Sequence, residues 1–586
     1  MRAADRVLSR LLRLPPARND YTVERGLRIT MRDGVDLRAD LYSPSTREPR
    51  GTVLVRTPYG RGFPESALHG RMLAARGYHA LIGSVRGTFG SGGAFEPIAQ
   101  ETADGRDTIA WLREQAWFDG RLATLGGSYL GWAQWTLLQD PPPELRTALV
   151  YVGPHDFREA VFGTGSFTLG DFLTWSHTIV GQEARGLRWI TDRAAARRRL
   201  EPGLRGLPLA DAAEPVLRGR APWYRTWLSH PEGDDPFWGA YRAGAALEQV
   251  QVPVLLVSGW QDLFLEQTLI QYERLRARGI EVSLTVGPWT HVGTAVSGAM
   301  LVEKRALAWL DRHLAGDAEP AEHAPAAGRA PAADSISAPA AGSTSAAGDG
   351  AAGRASRVDE SPGEAPGRVY RTGENRWHEM AVWPPATAPA SFVPHPAGGL
   401  LAGDPVEGEI GFRYDPADPT PSVGGRVLAG TAGVRNNRRL EARPDVLTFT
   451  TAPLTADLDV AGSPTLELAL AVDNPYADVF VRLCDVDPRG RSANFSDAML
   501  RLDPDVPAGE VQRLRLGLDG CFHRLVAGHR LRLQISGGAH PRFSRNLGTD
   551  GTFIDGAKLA CSVHTVHTAP TRLVLPISSG APSTTR

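Results

Sequence analysis

The strongest candidate for chemistry is a serine placed between a strand pattern and a helix pattern. Residues 122–131 read LATLGGSYLG, so Ser128 follows two glycines and precedes an apolar helical pattern. A tight turn from strand to helix lifts a serine hydroxyl above the edge of a sheet, and glycines give its strained backbone room. The amide of Tyr129 would then lie at a helix N-terminus, where it can donate to a developing oxyanion. Ser128 is therefore a candidate nucleophile, although glycine-rich turns before helices are also common without catalysis.

The partners that a nucleophilic serine needs follow later in the chain. A base must take the serine proton, and a carboxylate must orient that base. In strand–helix folds with this turn, the carboxylate and then the histidine come after later strands. Asp262 ends the segment GWQD and His291 ends GPWTH, each directly after a strand pattern. Taken singly, Asp262 could cap a helix and His291 could be a loop residue, but their order favours a Ser–His–Asp triad.

These residues need a parallel sheet to bring them together. Before residue 316, short apolar runs alternate with helical patterns, which predicts strands covered on both faces and joined by right-handed crossovers. The predicted strands are Gly51–Arg56, Tyr78–Ser84, Leu122–Gly126, Thr147–Val152, Val252–Ser258 and Val282–Val286. The predicted helices are Glu65–Arg76, Glu101–Glu114, Tyr129–Gln139, Glu266–Ala277 and Gly298–Leu314. Residues 154–248, rich in aromatic residues and Arg, are predicted to form a helical cap over one end of the sheet.

The remainder of the chain divides into segments of different composition. Residues 1–20 predict an N-terminal helix or extension before a catalytic domain at 21–315. Residues 316–367 are rich in Ala, Pro and Gly and cannot bury enough apolar surface to fold, so they are predicted to be a flexible linker. From 368 to 586, short alternating apolar runs are punctuated by turn residues, which predicts an antiparallel sandwich or jelly roll.

Composition excludes several other functions. The 586 residues carry a formal net charge of −1, so no global field favours nucleic acid or an anionic membrane. No apolar run approaches a membrane span and no secretion signal is evident, so a cytoplasmic protein is expected. There is no Gly-Lys-Ser/Thr phosphate loop and no Cys-x-x-Cys, and residues 86–93, RGTFGSGG, are interpreted as a tight loop. Neither a metal nor a cofactor is predicted.

The chain resembles the CocE/NonD hydrolases, the group of bacterial cocaine esterase and Xaa-Pro dipeptidyl-peptidase, over nearly its whole length. The motifs that carry the resemblance are MRDGVDL at 31–37, RTPY at 56–59, VRG at 85–87, DGRDTIAWL at 104–112, GSYLG at 127–131, GWQD at 259–262 and GPWTH at 287–291. The resemblance implies an α/β-hydrolase domain with a helical cap and a C-terminal jelly roll. It also implies Ser128 as nucleophile, His291 as general base and acid, and Asp262 as its orienting carboxylate.

The resemblance further implies an oxyanion hole made by the Tyr59 hydroxyl and the Tyr129 amide. One departure concerns the residue before Val-Arg-Gly, where Ser84 stands in place of the usual Asp, and this leaves the charged partners of Arg86 open.

The function predicted from these residues is hydrolysis of an ester, or of an amide or short peptide, through an acyl-enzyme. Cap aromatics, Phe172 and Trp175 among them, are predicted to shape the substrate pocket. An Xaa-Pro dipeptidyl-peptidase or an amino-acid ester hydrolase is the alternative within hydrolases. A non-catalytic protein that binds carbohydrate or a partner on a degenerate hydrolase scaffold is the remote one. The natural substrate and the oligomeric state, with a homodimer as one option, are left open.

Overall fold

A ten-stranded sheet forms the base of the catalytic half of the molecule. The computed structural model describes residues 3–183, 198–316 and 367–578. The strands of this sheet are β1 (Tyr21–Thr30), β2 (Asp36–Pro44), β3 (Thr52–Thr57), β4 (His79–Ser84), β5 (Leu122–Gly127), β6 (Leu145–Tyr151), β7 (Val254–Gln261), β8 (Val282–Thr290), β9 (Gly367–Arg371) and β10 (Arg376–Met380). Their spatial order is β1-β2-β4-β3-β5-β6-β7-β8-β9-β10. The strands from β4 to β9 in this order run parallel, and the pairs at both edges are antiparallel.

The central strands lie close to the predicted ones, because their consecutive apolar residues require cover on both faces. Every residue of β7 is buried, and so are the first five residues of β5. Helices of the catalytic half supply this cover and form the cap. They are α1 (Ala3–Leu11), α2 (Met72–Ala74), α3 (Glu101–Arg113), α4 (Tyr129–Leu137), α5 (Phe157–Phe162), α6 (Leu169–Gly181), α7 (Leu209–Leu217), α8 (Pro222–Leu228), α9 (Ala246–Gln249), α10 (Leu265–Ala277), α11 (His291–Val296) and α12 (Ala299–His313).

The cap predicted at 154–248 is helical in its described part. It contains α5 to α9 and a 3₁₀ turn at Pro236–Tyr241, whereas residues 184–197 lie outside the described part of the chain. Its aromatic residues pack against one another. Phe157 meets Phe172 at 5.1 Å and Trp227 at 5.0 Å between ring centroids, and all three are buried. This aromatic core fixes the helices that stand over the carboxyl ends of β5, β7 and β8.

The C-terminal half is an antiparallel sandwich with its own apolar core. Its strands are β11 (Thr387–Pro394), β12 (Leu400–Leu401), β13 (Glu409–Tyr414), β14 (Val446–Thr450), β15 (Leu458–Gly462), β16 (Thr465–Val472), β17 (Asp478–Val486), β18 (Ser492–Arg501), β19 (Gln512–Gly517), β20 (Cys521–Leu525), β21 (Arg530–Ser536) and β22 (Ser562–Ser578). Eight of them form one sheet, in which β22 pairs with four others, and β14-β21-β17-β18 form the second.

The structure differs from the sequence prediction where the two halves meet. The linker predicted at 316–367 lies, from 317 to 366, outside the described residues. Strands β9 and β10, assigned by sequence to the C-terminal domain, instead extend the sheet of the catalytic half, since β9 pairs with β8 and β10 pairs with β9. Backbone hydrogen bonds also join the sandwich to the cap, since Ser544 donates to the carbonyl of Phe167 at 2.8 Å.

Within the three described ranges, no helix combines the length and the apolarity that crossing a bilayer requires.

Candidate active site

Ser128 occupies a sharp turn between β5 and α4. Its backbone has φ 60° and ψ −121°, a strained conformation that points the side chain away from the sheet. Two glycines make this turn feasible. A Cβ on Gly126, where φ is +152°, would lie 2.4 Å from the Cβ of Leu130, and one on Gly131 would lie 2.7 Å from the Cα of Gly153. Gly131 is thus needed where the helix approaches the loop after β6.

Three side chains form a hydrogen-bonded line at this turn. The Oγ of Ser128 lies 2.9 Å from Nε2 of His291, and Nδ1 of His291 lies 2.6 Å from Oδ1 of Asp262. These are the contacts by which a base takes a serine proton and a carboxylate holds the base. The three residues come from the ends of β5, β7 and β8, as the sequence order predicted.

Asp262 is held rigidly in a dry environment. Its side chain is fully buried, and its second oxygen accepts a hydrogen bond from the Ser258 hydroxyl at 2.9 Å. It makes no side-chain cap on the following helix, whose N-cap residue is Phe264. His291 is the first residue of α11, and its imidazole meets the Phe264 ring edge-on at 5.4 Å. The imidazole can therefore turn little from its line with Ser128.

Tyr59 lies beside the nucleophile and is oriented by the cap. Its hydroxyl accepts a hydrogen bond from the indole N–H of Trp175 at 3.2 Å. Burial raises the pKa of Tyr59, and interactions with Trp175 and with Ser128 oppose that increase. Because the phenol oxygen accepts from Trp175, its own proton remains available to a second acceptor near Ser128. The backbone N–H of Tyr129 lies in the first turn of α4. The N–H groups of a first turn have no hydrogen-bond acceptor within the helix.

The side chain of Tyr129 anchors the turn from below. Its hydroxyl donates to Oε1 of Glu101 at 2.8 Å and accepts from the amide of Ile98 at 3.0 Å. Glu101 in turn binds Arg56 at 2.5 Å, and both charged side chains are almost fully buried. The network ties the residue after the nucleophile to β3 and α3.

A narrow pocket of about 40 Å³ opens at Ser128 on the cap side. Both predicted pocket residues, Phe172 and Trp175, lie in its wall. Phe264 and Leu428 also line it, and neither was predicted. Leu428 comes from the C-terminal half, and no local sequence pattern marks it. Its position follows only from the packing of the sandwich on the cap.

One acidic side chain also lines the narrow pocket. Asp171 is 4% exposed, and its Oδ1 accepts a hydrogen bond from the amide of Leu428 at 2.8 Å. Burial raises the pKa of Asp171 to about 6. Three other acids of the cap lie elsewhere: Asp156 and Glu183 accept backbone hydrogen bonds away from Ser128, and Glu159 pairs with Arg158 at the surface. Among these four acids, Asp171 is the one that lines the pocket at Ser128.

A second, larger chamber of about 570 Å³ shares Ser128, His291 and Trp175 with the narrow pocket. Its wall includes Tyr59 and residues of α11 and α12. Ser128 thus lies between two spaces of unequal size. This is the arrangement needed to hold the two halves of a cleavable substrate.

The charged residues near the site form ion pairs that stabilise the fold. Arg86, whose partners the sequence left open, pairs with Asp104 at 2.7 Å and with Asp33 at 2.7 Å. Ser84, at the unusual position, accepts a hydrogen bond from Arg61 instead. The glycine-rich segment at 86–93 is a tight turn in which Gly87, Gly90 and Gly93 have positive φ. Across the ranges that the structure describes, no group of three or more His, Cys, Asp and Glu residues is arranged to hold a metal ion.

Two family models match consecutive parts of the chain. Residues 33–293 match the family model of the X-Pro dipeptidyl-peptidase (S15 family), and residues 362–574 match that of the X-Pro dipeptidyl-peptidase C-terminal non-catalytic domain. Cocaine esterase of Rhodococcus sp. (strain MB1 Bresler) is 27% identical over 95% of this chain and 99% of its own length.

Two solved structures share the fold over nearly the full length. An aminopeptidase from a marine sediment Thaumarchaeota archaeon aligns with a TM-score of 0.74 and 22% identity, over 96% of this chain and 97% of that chain. An α-amino acid ester hydrolase aligns with a TM-score of 0.73 and 22% identity, over the same shares of the two chains.

Proposed function

The chain belongs to the CocE/NonD family of serine hydrolases, and we propose that it cleaves ester bonds through an acyl-enzyme formed on Ser128. The observation that carries this proposal is the continuous line from Asp262 through His291 to Ser128, with separations of 2.6 and 2.9 Å. A buried carboxylate, an imidazole and a strained serine in this order are the parts of nucleophilic acyl transfer.

Acylation begins when Ser128 attacks the ester carbonyl. His291 takes the serine proton at Nε2, and Asp262 stabilises the resulting imidazolium through Nδ1–H. Negative charge develops on the carbonyl oxygen at the same moment. The Tyr59 hydroxyl and the Tyr129 amide are the donors placed to receive it, because both adjoin Ser128 and neither needs to reorganise during the reaction.

The same groups complete acylation and then carry out deacylation. The imidazolium of His291 gives its proton to the departing alcohol, whose C–O bond breaks as the acyl-enzyme forms. Water then enters, His291 takes one of its protons, and the hydroxide attacks the acyl carbon. The bond between the Ser128 Oγ and the acyl carbon then breaks, and Oγ takes the proton back from His291. The chain's own residues and water therefore complete the cycle.

Each of the two spaces at Ser128 would hold one half of the ester substrate. The narrow pocket, walled by Phe172, Trp175 and Phe264, suits a small planar or apolar acyl group. The larger chamber borders α11, the helix that begins at His291, so it suits the leaving group that this histidine protonates.

The second candidate is cleavage of Xaa-Pro dipeptides or amino-acid esters. It is favoured by the description of both matching family models and by Asp171, the acidic side chain in the narrow pocket. A carboxylate there could receive a substrate ammonium group. Its Oδ1, however, already accepts from the Leu428 amide, which favours a role in holding the two halves of the molecule together.

A side-by-side assay tests the proposal. Purified protein would be given a phenyl ester, an amino-acid ester and an Xaa-Pro anilide, and kcat/KM would be compared. We expect the simple ester to be turned over best and Ser128→Ala to abolish turnover. Anilide cleavage exceeding ester cleavage would favour the peptidase, and ester turnover retained by Ser128→Ala would reject the proposed nucleophile.

A further inference from the structure

The sheet holds the turn that carries Ser128 on one side only. Pairing between β3 and β5 ends at Leu54 and Thr124, whereas β5 itself continues to Gly127. Within the described ranges, the last three residues of β5 pair with β6 alone. Because a strained backbone conformation persists only where its surroundings fix it, contacts other than the strand ladder must help to hold this turn.

The side chain of Gln134, on α4, contacts this turn. Gln134 is 4% exposed, and its Nε2 lies 3.1 Å from the carbonyl oxygen of Gly126 and 3.2 Å from that of Leu130. The same nitrogen lies 3.1 Å from the carbonyl oxygen of Leu149 in β6. One buried amide group therefore binds the chain before Ser128, the chain after it and the neighbouring strand.

The orientation of this amide follows from its partners. A carbonyl oxygen can only accept a hydrogen bond, so the NH₂ group of Gln134 must face the three carbonyls. Its Oε1 is left for a donor, and the Thr124 hydroxyl donates to it at 2.9 Å. Thr124 is 3% exposed and lies at the last pair between β5 and β3. Thr124 thus fixes the direction in which the amide of Gln134 points.

Other side chains of similar size would not make these contacts. Methionine has nearly the shape of glutamine but no donor, so the buried carbonyls of Gly126, Leu130 and Leu149 would lose the NH₂ group. Glutamate would turn its carboxylate oxygens towards the same three carbonyls. Since a buried polar group without a partner costs more than a hydrogen bond contributes, the chain around Ser128 would have to shift.

We propose that Gln134 is a positioning residue which, together with Thr124, holds the Oγ of Ser128 in line with Nε2 of His291. This inference rests on the proposed acyl transfer, because it concerns how the nucleophile of that reaction is held. Among the described residues, Gln134 is not part of the wall of either pocket at Ser128. It therefore acts on the reaction through the backbone on the two sides of the serine.

Gln134→Met tests this role by steady-state kinetics with a phenyl ester. We expect kcat to fall by about 10- to 100-fold, the effect of moving a reacting atom by about 1 Å, while KM stays within about threefold of wild type. The rate of labelling by a fluorophosphonate should fall by a similar factor, because labelling also begins with attack by Ser128. Wild-type kcat and labelling rate in the folded variant, or a change in KM alone, would overturn the proposal.

Gln534→Met is the matched control. Gln534 is 2% exposed on β21 of the sandwich, and its Nε2 donates to Glu441 at 2.6 Å. Its substitution also removes a buried amide, so the unfolding midpoint should fall, but kcat should stay within about threefold of wild type. Equal losses of kcat in the two variants would mean that destabilisation, rather than the position of Ser128, lowers the rate, and would overturn the proposal.

Thr124→Val tests the same anchor if Gln134→Met does not fold. Valine keeps the branched shape of threonine but cannot donate to Oε1 of Gln134, so the amide loses the contact that orients it. We expect kcat and the labelling rate to fall by about 3- to 10-fold with KM unchanged. A folded Thr124→Val variant with wild-type kcat and labelling rate would overturn the proposal.

The effects of the two substitutions should not multiply. Because both act through the same amide group, Thr124→Val should change kcat by less than about twofold when Gln134 is already methionine. Losses that multiply would show that Thr124 and Gln134 act separately, and would overturn their joint role.

The role of Gln134 and the proposed function fail in different ways. If the wild-type protein hydrolyses the ester and is labelled on Ser128, but Gln134→Met reacts equally fast, only the role of Gln134 is lost. If the wild-type protein hydrolyses no ester and is not labelled on Ser128, the proposed function is lost, and the role of Gln134 is rejected with it.

Discussion

The indole N–H of Trp175 donates to the hydroxyl of Tyr59 at 3.2 Å, and this bond connects the cap to the proposed oxyanion hole. Trp175 stands on α6, whereas Tyr59 follows β3 in the catalytic sheet. The indole also stacks on the ring of Tyr129, with centroids 6.3 Å apart and planes 10° apart. One cap residue therefore contacts both residues of the proposed oxyanion hole, Tyr59 and Tyr129.

Loss of the Tyr59 hydroxyl should slow the reaction strongly. Removal of one oxyanion donor typically lowers kcat by about 10²–10³, and we expect Tyr59→Phe to fall in that range. Trp175→Phe keeps an aromatic ring but frees the phenol to rotate, so a smaller loss, about 5- to 50-fold, is expected. Steady-state kinetics with a phenyl ester measure both effects.

Trp223→Phe is the matched control for Trp175→Phe. Trp223 belongs to the same cap and donates its indole N–H to Ser176, away from Tyr59. Its kcat should stay within about threefold of wild type. Equal losses in the two variants would mean that general cap packing, rather than the bond to Tyr59, sets the rate.

Asp262→Asn should impair catalysis without unfolding the protein. An amide can offer Nδ1 of His291 a donor rather than an acceptor, which favours the wrong imidazole tautomer and costs about 10⁴ in kcat in a comparable triad. Ser258→Ala removes only the outer hydrogen bond to Asp262, and we expect a loss below about 10-fold. If Asp262→Asn lost no more activity than Ser258→Ala, Asp262 would not be the orienting carboxylate.

The buried pair between Arg56 and Glu101 should matter for stability. Glu101→Gln leaves a buried guanidinium without its counter-charge, which typically costs about 3–5 kcal/mol. The exposed pair of Arg113 and Glu144 offers a control, because Glu144→Gln should cost less than about 1 kcal/mol. Thermal unfolding midpoints compare the two, and similar shifts would show that the buried network contributes little.

Asp171 should make stability depend on pH. Its pKa is raised from 3.8 to about 6 in the folded protein, so ionisation between pH 4 and 6 favours the unfolded chain. By linkage, wild-type stability should fall relative to Asp171→Asn by about 2–3 kcal/mol between pH 4 and pH 7.

The measurement is the difference in unfolding midpoint between Asp171→Asn and wild type at several pH values. That difference should rise with pH and level off above about pH 7. Asp211→Asn, at an exposed acid of the cap, should show no such trend. A constant difference for Asp171→Asn would mean that Asp171 ionises as readily in the folded protein as in the unfolded one.

The meeting of the three triad side chains could be predicted because it depends on local signals. Ser128, Asp262 and His291 each follow an apolar run that must be a buried strand, and parallel strands end at one edge of a sheet. The exact ends of the strands were harder to predict from the sequence. Strand β7 was predicted to end at Ser258 but runs to Gln261, since pairing with β8 extends it.

The remainder of the site depends on contacts between distant segments. Leu428 reaches the narrow pocket only because the sandwich packs on the cap, and β9 joins the catalytic sheet only because β8 offers a free edge. Glu303 lies within an ordinary helical pattern, and nothing near it in sequence indicates that it faces a cavity. Residues 65–76 were predicted as one regular helix, yet residues 66–71 form a π-helical turn that places His69 beside Glu65.

The most direct test of the central claim is the site of covalent attack. The protein would be incubated with a fluorophosphonate, and its mass and the labelled peptide would be determined. The account predicts a single adduct on Ser128, lost in Ser128→Ala and formed much more slowly in His291→Ala. No adduct on the folded wild-type protein, or an adduct on another residue with Ser128 unmodified, would contradict it.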